Sequence, residues 1–358
     1  MKIAVLGSGN GAHAVAFDWA KAGHDVYIYD FPQFDKSIAA INEAGGIYAE
    51  GKMEGFQKIT YAGTDLEKVL ADAGLIFVVG PSYSTEPFGK ACAPYVKEGQ
   101  RYIIMPGSCM GAATFKQALG LEMRDPMVTI AETSTLPYAV RIIGPARIDV
   151  HHRLPAAYMV ATIPREKNDE IYDLLSTVFM GIEKGASVLH TTLQNSNPII
   201  HPVVTTLNAG LIERTHGDFE FYSEGITPGV AELMKAVDLE RIKIGEALGL
   251  SIEPSPEKGI RQGYMDVKDY YDGYSKSKAF AGIKAQPQLD HRYYNEDLGY
   301  TTVFFIELAD RMGVEVPVMK ALAKIISVIM KRDYMAEAPR SLANLGLADY
   351  SAEELKKL

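Results

Sequence analysis

The sequence has few cysteines. Only Cys92 and Cys109 occur in its 358 residues, and two cysteines cannot form the disulfide framework of a small secreted domain. Neither lies in a CxxC or other metal-ligand spacing, so no metal site is expected. Both are interpreted as small buried hydrophobic residues, which is typical of a protein in the reducing cytoplasm.

The sequence also lacks an excess of positive charge and any long hydrophobic run. Its net charge of −9 argues against a nucleic-acid partner, because phosphate binding needs a basic surface. No apolar stretch reaches the length of a membrane span. The first apolar run ends at Gly7, too early for a signal peptide. We therefore predict a cytoplasmic protein with small-molecule substrates and no membrane partner.

Short apolar runs that end at turns dominate the first half of the chain. Such runs, each followed by helical spacing, are typical of parallel strands buried on both faces. The predicted strands are residues 2–6, 25–29, 75–79, 102–105 and 127–131. Two further candidates, 147–151 and 157–163, would extend the same sheet. The fold class predicted for this half is α/β, a Rossmann-type doubly wound parallel sheet.

The second half of the chain has a different pattern. Strand-like runs nearly vanish, and helical periodicity covers residues 190–214, 228–249 and 301–331. Between them, residues 256–295 are rich in Gly, Tyr and Lys and predict short helices and loops. Because the length exceeds what one hydrophobic core usually supports, we predict two domains. The first is a dinucleotide-binding domain over residues 1–185, and the second is an all-α substrate and catalytic domain over residues 186–358.

A glycine-rich motif follows the first predicted strand and opens the first helix. Its spacing, G-x-G-x-x-A, permits a tight turn, a close backbone approach to a pyrophosphate and helix-to-strand packing. Such a motif alone also occurs in other α/β turns, but here the strand, the helix and the later acidic residue provide the context that it needs. The predicted cofactor-binding residues in the motif are Gly7, Gly9, Asn10, Gly11 and Ala12.

Asp30 ends the second predicted strand, where a carboxylate accepts hydrogen bonds from adenosine ribose hydroxyls and repels a 2′-phosphate. Residues 31–34 contain no cation, and Lys36 is the nearest one. This pattern favours NAD over NADP. Three further cofactor-binding candidates follow the ends of other strands, where a nucleotide binds in this fold: Gly80, Thr133 and Ser134.

A polar stripe runs along the predicted helix over residues 190–214. Asn197, His201, Thr205 and Asn208 share one helical face, as their spacing requires. His201 is the best catalytic candidate among the eight histidines. By its setting alone, a structural histidine and a catalytic one both stay open.

Several ordered segments resemble the NAD/NADP octopine/nopaline (opine) dehydrogenase family. The similarity covers nearly the whole length, and several motifs in order are more specific than any one of them. The segments are residues 7–14 (GSGNGAHA), Glu132–Arg141 (ETSTLPYAVR), Asn197–Pro202 (NPIIHP), Glu224–Pro228 (EGITP) and His291–Asp297 (HRYYNED).

This resemblance implies an enzyme that reductively joins an amino-acid amine to a 2-oxo acid with NAD(P)H. It implies that His201 donates and accepts the proton and that Asp297 orients and charges its imidazole. Arg292 would hold a substrate carboxylate in a bidentate pair, and Asn197 and Thr205 are further substrate-binding candidates. A homodimer is possible. By themselves, Arg292 and Asp297 also fit ordinary surface charges near the start of the 301–331 helix.

Two alternatives stay open. The first is a 2-hydroxy-acid or ketopantoate-type dehydrogenase, several of which use a lysine of the helical domain as proton donor. Residues 190–212 contain no lysine, which favours a histidine mechanism. The second is a non-catalytic NAD(H) sensor, which needs the glycine turn but has no need of His201, Arg292 and Asp297 together.

Overall fold

The computed structural model describes residues 1–358. The chain divides into two compact units. One comprises Met1–Thr191 with Leu358, and the other comprises Thr192–Lys357. None of the helices has the length and apolarity that crossing a membrane requires.

The first unit contains twelve strands. All seven predicted strands have counterparts within two residues at each end, which shows how strongly short apolar runs mark strands in the sequence. In chain order the strands are β1 Lys2–Leu6, β2 Asp25–Tyr29, β3 Gly46–Gly51, β4 Gly55–Lys58, β5 Tyr61–Gly63, β6 Leu75–Val79, β7 Arg101–Met105, β8 Thr129–Thr133, β9 Tyr138–Gly144, β10 Arg147–Arg153, β11 Tyr158–Ile163 and β12 Ile182–Lys184.

The main sheet has the strand order β12-β11-β8-β7-β6-β1-β2-β5. All neighbours from β8 to β5 are parallel, whereas β11 runs antiparallel to β8. The chain order reverses beside β1, which has β2 on one side and β6 on the other. In open α/β sheets, ligands bind at the carboxyl ends of the strands at such a point. The predicted Rossmann-type architecture is confirmed.

A second, four-stranded sheet corrects one prediction. Residues 147–151 do not extend the main sheet, because β10 pairs with β3 and β9 in the order β4-β3-β10-β9. The first four residues of β10 alternate between outward and buried positions, the pattern of a strand with one buried face. Residues 158–163 do extend the main sheet, as β11.

Helices α1 to α6 connect the strands of the first unit, and α7 crosses into the second. The predicted helix after the glycine motif is confirmed as α1, which begins within the motif at Asn10. The helices are α1 Asn10–Lys21, α2 Asp35–Ala44, α3 Leu66–Leu70, α4 Thr85–Cys92, α5 Gly111–Ala118, α6 Asn168–Ser176 and α7 Val188–Leu193.

The second unit is helical, with one isolated β-bridge between Glu220 and Lys284. A π-helical segment, Asp297–Thr302, leads directly into α14. The α-helices are α8 Asn197–Leu207, α9 Ala209–Thr215, α10 Pro228–Ala247, α11 Ser255–Arg261, α12 Asp272–Ser275, α13 Arg292–Asn295, α14 Val303–Met312, α15 Pro317–Met330 and α16 Ala352–Leu355.

Two long predicted helices are interrupted. The 190–214 region forms α7, α8 and α9, and the 301–331 region breaks between α14 and α15. Gly313 ends α14 in the left-handed conformation, with φ 70°, and Pro317 starts α15. A glycine after a helix and a proline in the next first turn are ordinary stop and start signals, which the continuous apolar periodicity obscured.

Candidate active site

A tight turn joins β1 to α1 in the first unit. Gly7 has φ 117°, and a Cβ atom there would lie 2.4 Å from the carbonyl oxygen of Val79. Its N–H donates to the Tyr29 carbonyl at 2.8 Å. No side chain fits this conformation and this close approach, so glycine is required at the first position of the motif. A Cβ at Gly9 would meet open space instead.

A cleft of about 670 Å³ opens beside this turn. Its walls include Gly7 and Gly9 of the turn, Asp30 and Gly80 after β2 and β6, and Phe88 of α4. The amino end of α1 begins at the same turn, and the free N–H groups and dipole of a helix start favour a phosphate. The residues present therefore fit a dinucleotide, with the pyrophosphate at the glycines and a ribose at Asp30.

Asp30 is held in place by two hydrogen bonds. The Ser8 hydroxyl donates to Oδ2 at 2.6 Å, and the Phe31 N–H donates to Oδ1 at 2.8 Å. Each carboxylate oxygen keeps further acceptor capacity for ribose hydroxyls. Lys36 lines the same cleft, and its positive charge would attract a 2′-phosphate. Selection of NAD over NADP therefore depends on the Asp30 carboxylate, which repels that phosphate. Sequence reasoning missed the role of Ser8, which occupies a variable position of the motif.

The other cofactor candidates lie inside the first unit. Asn10 accepts from the Ile142 N–H at 2.8 Å and so ties the turn to β9, while Ala12 is buried. Thr133 ends β8 with no exposed surface, and its hydroxyl has no partner. Ser134 accepts from the Met159 N–H at 2.9 Å. The roles of Thr133 and Ser134 at a nicotinamide stay predictions.

His201 and Asp297 meet in the second unit. His201 lies on α8 and Asp297 starts the π-helical segment, and both side chains are buried. Nδ1 of the imidazole is 2.7 Å from Oδ2 of the carboxylate. A carboxylate only accepts hydrogen bonds, so Nδ1 carries the proton and Nε2 of a neutral ring carries the lone pair. This pair can exchange a proton at Nε2 while the carboxylate stabilises the imidazolium.

Two tyrosines complete the surroundings of the imidazole. The Tyr293 ring stacks on His201 with a centroid separation of 3.9 Å and an interplanar angle of 17°. The Tyr222 hydroxyl lies 3.2 Å from Nε2. Sequence reasoning missed Tyr222. The only available signal was its place two residues before the Glu224–Pro228 segment.

The predicted substrate-binding residues have three different settings. Arg292 on α13 is half exposed and paired with Glu296 at 2.7 Å, which leaves other N–H groups for a second carboxylate. Asn197 is exposed at the start of α8. Thr205 has no exposed surface, and its hydroxyl accepts from the Gln286 amide at 2.9 Å. The Thr205 side chain therefore contributes to the interior of the second unit.

Two family models match the chain. Residues 2–146 match the NAD-dependent glycerol-3-phosphate dehydrogenase N-terminus. Residues 184–330 match the NAD/NADP octopine/nopaline dehydrogenase alpha-helical domain. The second match contains the His201–Asp297 pair.

Among known proteins, the chain is 32% identical to the opine dehydrogenase of Arthrobacter sp. (strain 1C), over 99% of this chain and 97% of that protein. The chain belongs to the opine dehydrogenase family. It is also 24% identical to the octopine dehydrogenase of Pecten maximus, over 88% of this chain and 87% of that one. As a member of this family, the protein is an NAD(P)-dependent oxidoreductase that acts on CH–NH bonds and joins an amino-acid amine to a 2-oxo acid.

Solved structures agree with this assignment at the level of the fold. The octopine dehydrogenase in complex with NADH and agmatine superimposes with a TM-score of 0.81 at 17% identity, covering 100% of this chain and 98% of that one. The PanE/ApbA family ketopantoate reductase from Ralstonia eutropha JMP134 gives a TM-score of 0.60 at 18% identity, covering 92% and 99%. The ketopantoate-type alternative thus shares the architecture, but the family is that of the opine dehydrogenases.

Proposed function

We propose that this opine dehydrogenase condenses the amine of an amino acid with a 2-oxo acid such as pyruvate, using NADH, through proton transfer at Nε2 of His201. The observation that carries this proposal is the buried hydrogen bond between His201 and Asp297. It leaves Nε2, which the Tyr222 hydroxyl contacts at 3.2 Å, as the nitrogen that can exchange a proton with the substrate once the substrate takes the place of that hydroxyl.

His201 first acts as a base. An amino acid arrives as an ammonium ion, and Nε2 takes one of its protons so that the amine lone pair can attack the ketone carbon of the 2-oxo acid. Asp297 stabilises the resulting imidazolium. The attacking nitrogen passes a second proton to the ketone oxygen, which becomes the carbinolamine hydroxyl. The imidazolium then returns its proton to this hydroxyl, which leaves as water and gives a protonated imine. NADH, when bound, supplies the hydride that reduces this imine.

The first domain, residues 1–185 in our proposal, holds the cofactor. The glycine turn would receive the pyrophosphate, and Asp30 would accept from the ribose hydroxyls. Gly80 and Ser134 follow strands, and Thr133 ends one, at the edge of the sheet where ligands bind in this fold. We assign these three residues to the nicotinamide half. The preference for NADH over NADPH rests on the fixed Asp30 carboxylate.

The second domain, residues 186–358, holds the substrates. We assign Arg292 to a substrate carboxylate, since Glu296 orients the guanidinium while leaving part of its donor fork available. The exposed amide of Asn197 is proposed as a second contact. Thr205 would contribute to substrate binding indirectly, by holding the Gln286 side chain through their hydrogen bond.

The proposal extends to assembly and location. Cys92 and Cys109 are buried thiols that form no disulfide, as expected in a reducing cytoplasm. The acidic net charge of −9 is unsuited to nucleic acid. A homodimer would cover exposed apolar side chains such as Ile325 and Val328 on α15, and light scattering on the purified protein tests it.

The test of the function is NADH oxidation with pyruvate against a panel of amino acids. We expect oxidation only when both organic substrates are present, with the condensed secondary amine recovered as product. Oxidation with the 2-oxo acid alone, giving a 2-hydroxy acid, would instead assign the chain to the hydroxy-acid dehydrogenases.

A further inference from the structure

The hydroxyl of Tyr222 is buried and has one hydrogen-bond partner, Nε2 of His201, at 3.2 Å. This nitrogen is the one that the proposed reaction protonates and deprotonates. The direction of the bond follows from the other side of the ring. Because Nδ1 donates to Asp297, Nε2 of the neutral ring is an acceptor and the phenol is the donor.

The neighbouring groups do not compete for this role. Asp297 contacts the opposite nitrogen, and Tyr293 contacts the ring face. His291 and Arg292 act through space on the pair. Tyr264 and Tyr274 act through space on the Tyr222 phenol. None of these is hydrogen-bonded to Nε2, so the contact at the reacting atom belongs to Tyr222.

We propose that Tyr222 is a positioning residue: in the free enzyme its hydroxyl donates to Nε2 of His201 and keeps the imidazole neutral, and the substrate ammonium takes its place at Nε2 when the proton is transferred. The inference rests on the proposed function for its role in turnover, but the hydrogen bond itself does not.

Protonation of His201 reverses the polarity of this contact. An imidazolium Nε2–H must donate to the phenol oxygen, and the phenol O–H then loses its only acceptor in a buried setting, which is unfavourable. Burial raises the pKa of the Tyr222 phenol well above its ordinary value, so the group stays a donor at neutral pH. The Tyr222 hydroxyl therefore favours the neutral imidazole over the imidazolium.

The ring of Tyr222 has a separate packing role. It stacks on Phe280 with centroids 4.5 Å apart and an interplanar angle of 16°, and it lies parallel to Tyr274 at 6.5 Å. Phenylalanine at position 222 would keep these contacts and remove only the hydroxyl. Tyr274 offers a matched control, because its hydroxyl is also buried but bonds Ser255 instead of the imidazole.

The experiment follows the imidazole titration of His201 by NMR, with the signal assigned by its loss in His201→Ala. We expect Tyr222→Phe to raise the pKa of His201 by about half to one pH unit, the size of one ordinary hydrogen bond. Tyr222→Leu should give a similar shift despite its different packing, and Tyr274→Phe should give none. In opine oxidation, the acidic limb of kcat/KM should move to higher pH by the same amount in both Tyr222 variants.

An unchanged or lowered pKa of His201 in Tyr222→Phe would overturn the proposal, as would an equal shift in Tyr274→Phe. The titration needs no turnover. A failed substrate screen would therefore overturn the proposed function while leaving the Tyr222 result readable.

Discussion

The two units of the chain build their functional groups by different means. In the first unit, backbone geometry shapes the cofactor cleft, and a Cβ at Gly7 would lie 2.4 Å from the Val79 carbonyl oxygen. In the second unit, side chains distant in sequence hold the functional group: Tyr222, Tyr293 and Asp297 surround His201 on three sides. A site shaped by backbone geometry uses residues that are close together in the sequence. A site formed by side chains from distant segments depends on how the whole domain packs.

This difference predicts different consequences of mutation. Changes in the first unit should act on cofactor affinity, because that is where the dinucleotide would be held. Changes around His201 should act on turnover and its pH dependence, because they alter the basicity and orientation of one imidazole.

The largest effect should come from removing the imidazole. We expect His201→Ala to lower kcat by roughly 10²–10⁴-fold, the usual contribution of a positioned general acid–base. Steady-state kinetics with saturating substrates measures this loss. Turnover near that of the unmodified enzyme would return His201 to a structural role.

Asp297→Asn should have a smaller effect, since the ring is retained but an amide cannot stabilise the imidazolium as a carboxylate does. We expect a lower kcat and an altered pH–rate profile. The double variant with His201→Ala should cost little more than His201→Ala alone, because groups that act as a unit are not additive. Fully multiplicative losses would show that the two residues work independently.

Arg292→Lys tests the fork geometry. It keeps the charge but loses the bidentate donor arrangement, so we expect the substrate KM to rise about tenfold, as for the loss of one charge-assisted hydrogen bond. Arg332→Lys is the matched control, since Arg332 is also paired with a glutamate, Glu337, at 2.6 Å. Equal KM changes in the two variants would argue against a substrate role for Arg292.

The smallest effect should come from the stacked ring. A π face stabilises a neighbouring cation by about 0.5–1 kcal/mol at exposed sites and by more when the cation is desolvated, as at the buried His201. Tyr293→Leu should therefore lower kcat by roughly three- to tenfold. Tyr293→Phe keeps the face and should behave like the unmodified enzyme. A large loss in Tyr293→Phe would point instead to the hydroxyl.

The sequence predicted the first unit better than the second, because the cofactor cleft is built largely from residues that are adjacent in sequence. The glycine spacing, the buried strands and Asp30 are local signals, and the structure places them at one cleft. The exception is residues 147–151. Alternation of buried and exposed side chains there indicates a strand, but it does not indicate which sheet the strand joins, and the strand belongs to the second sheet.

In the second unit, local periodicity placed His201 on a helix but could not supply its partners. Asp297 is 96 residues away, and the resemblance to a family, not the periodicity, pointed to it. Tyr222 carried no comparable signal, because a tyrosine in a loop packs as readily on an ordinary core. Continuous apolar patterns also hid the helix break at Gly313, since both helices bury one face.

The central claim is that cofactor recognition and proton transfer reside in different units, and a crossed measurement on Asp30→Ala and His201→Ala tests it most directly. NADH and NADPH affinities are measured by fluorescence titration, and kcat is measured at saturating cofactor. We expect Asp30→Ala to weaken NADH binding by roughly 10–100-fold, the scale of a charge-assisted hydrogen bond, to narrow the gap to NADPH and to keep kcat. His201→Ala should keep the NADH affinity and lose kcat. An unmodified enzyme that binds both cofactors equally, or a His201→Ala variant that loses NADH affinity, would contradict the account.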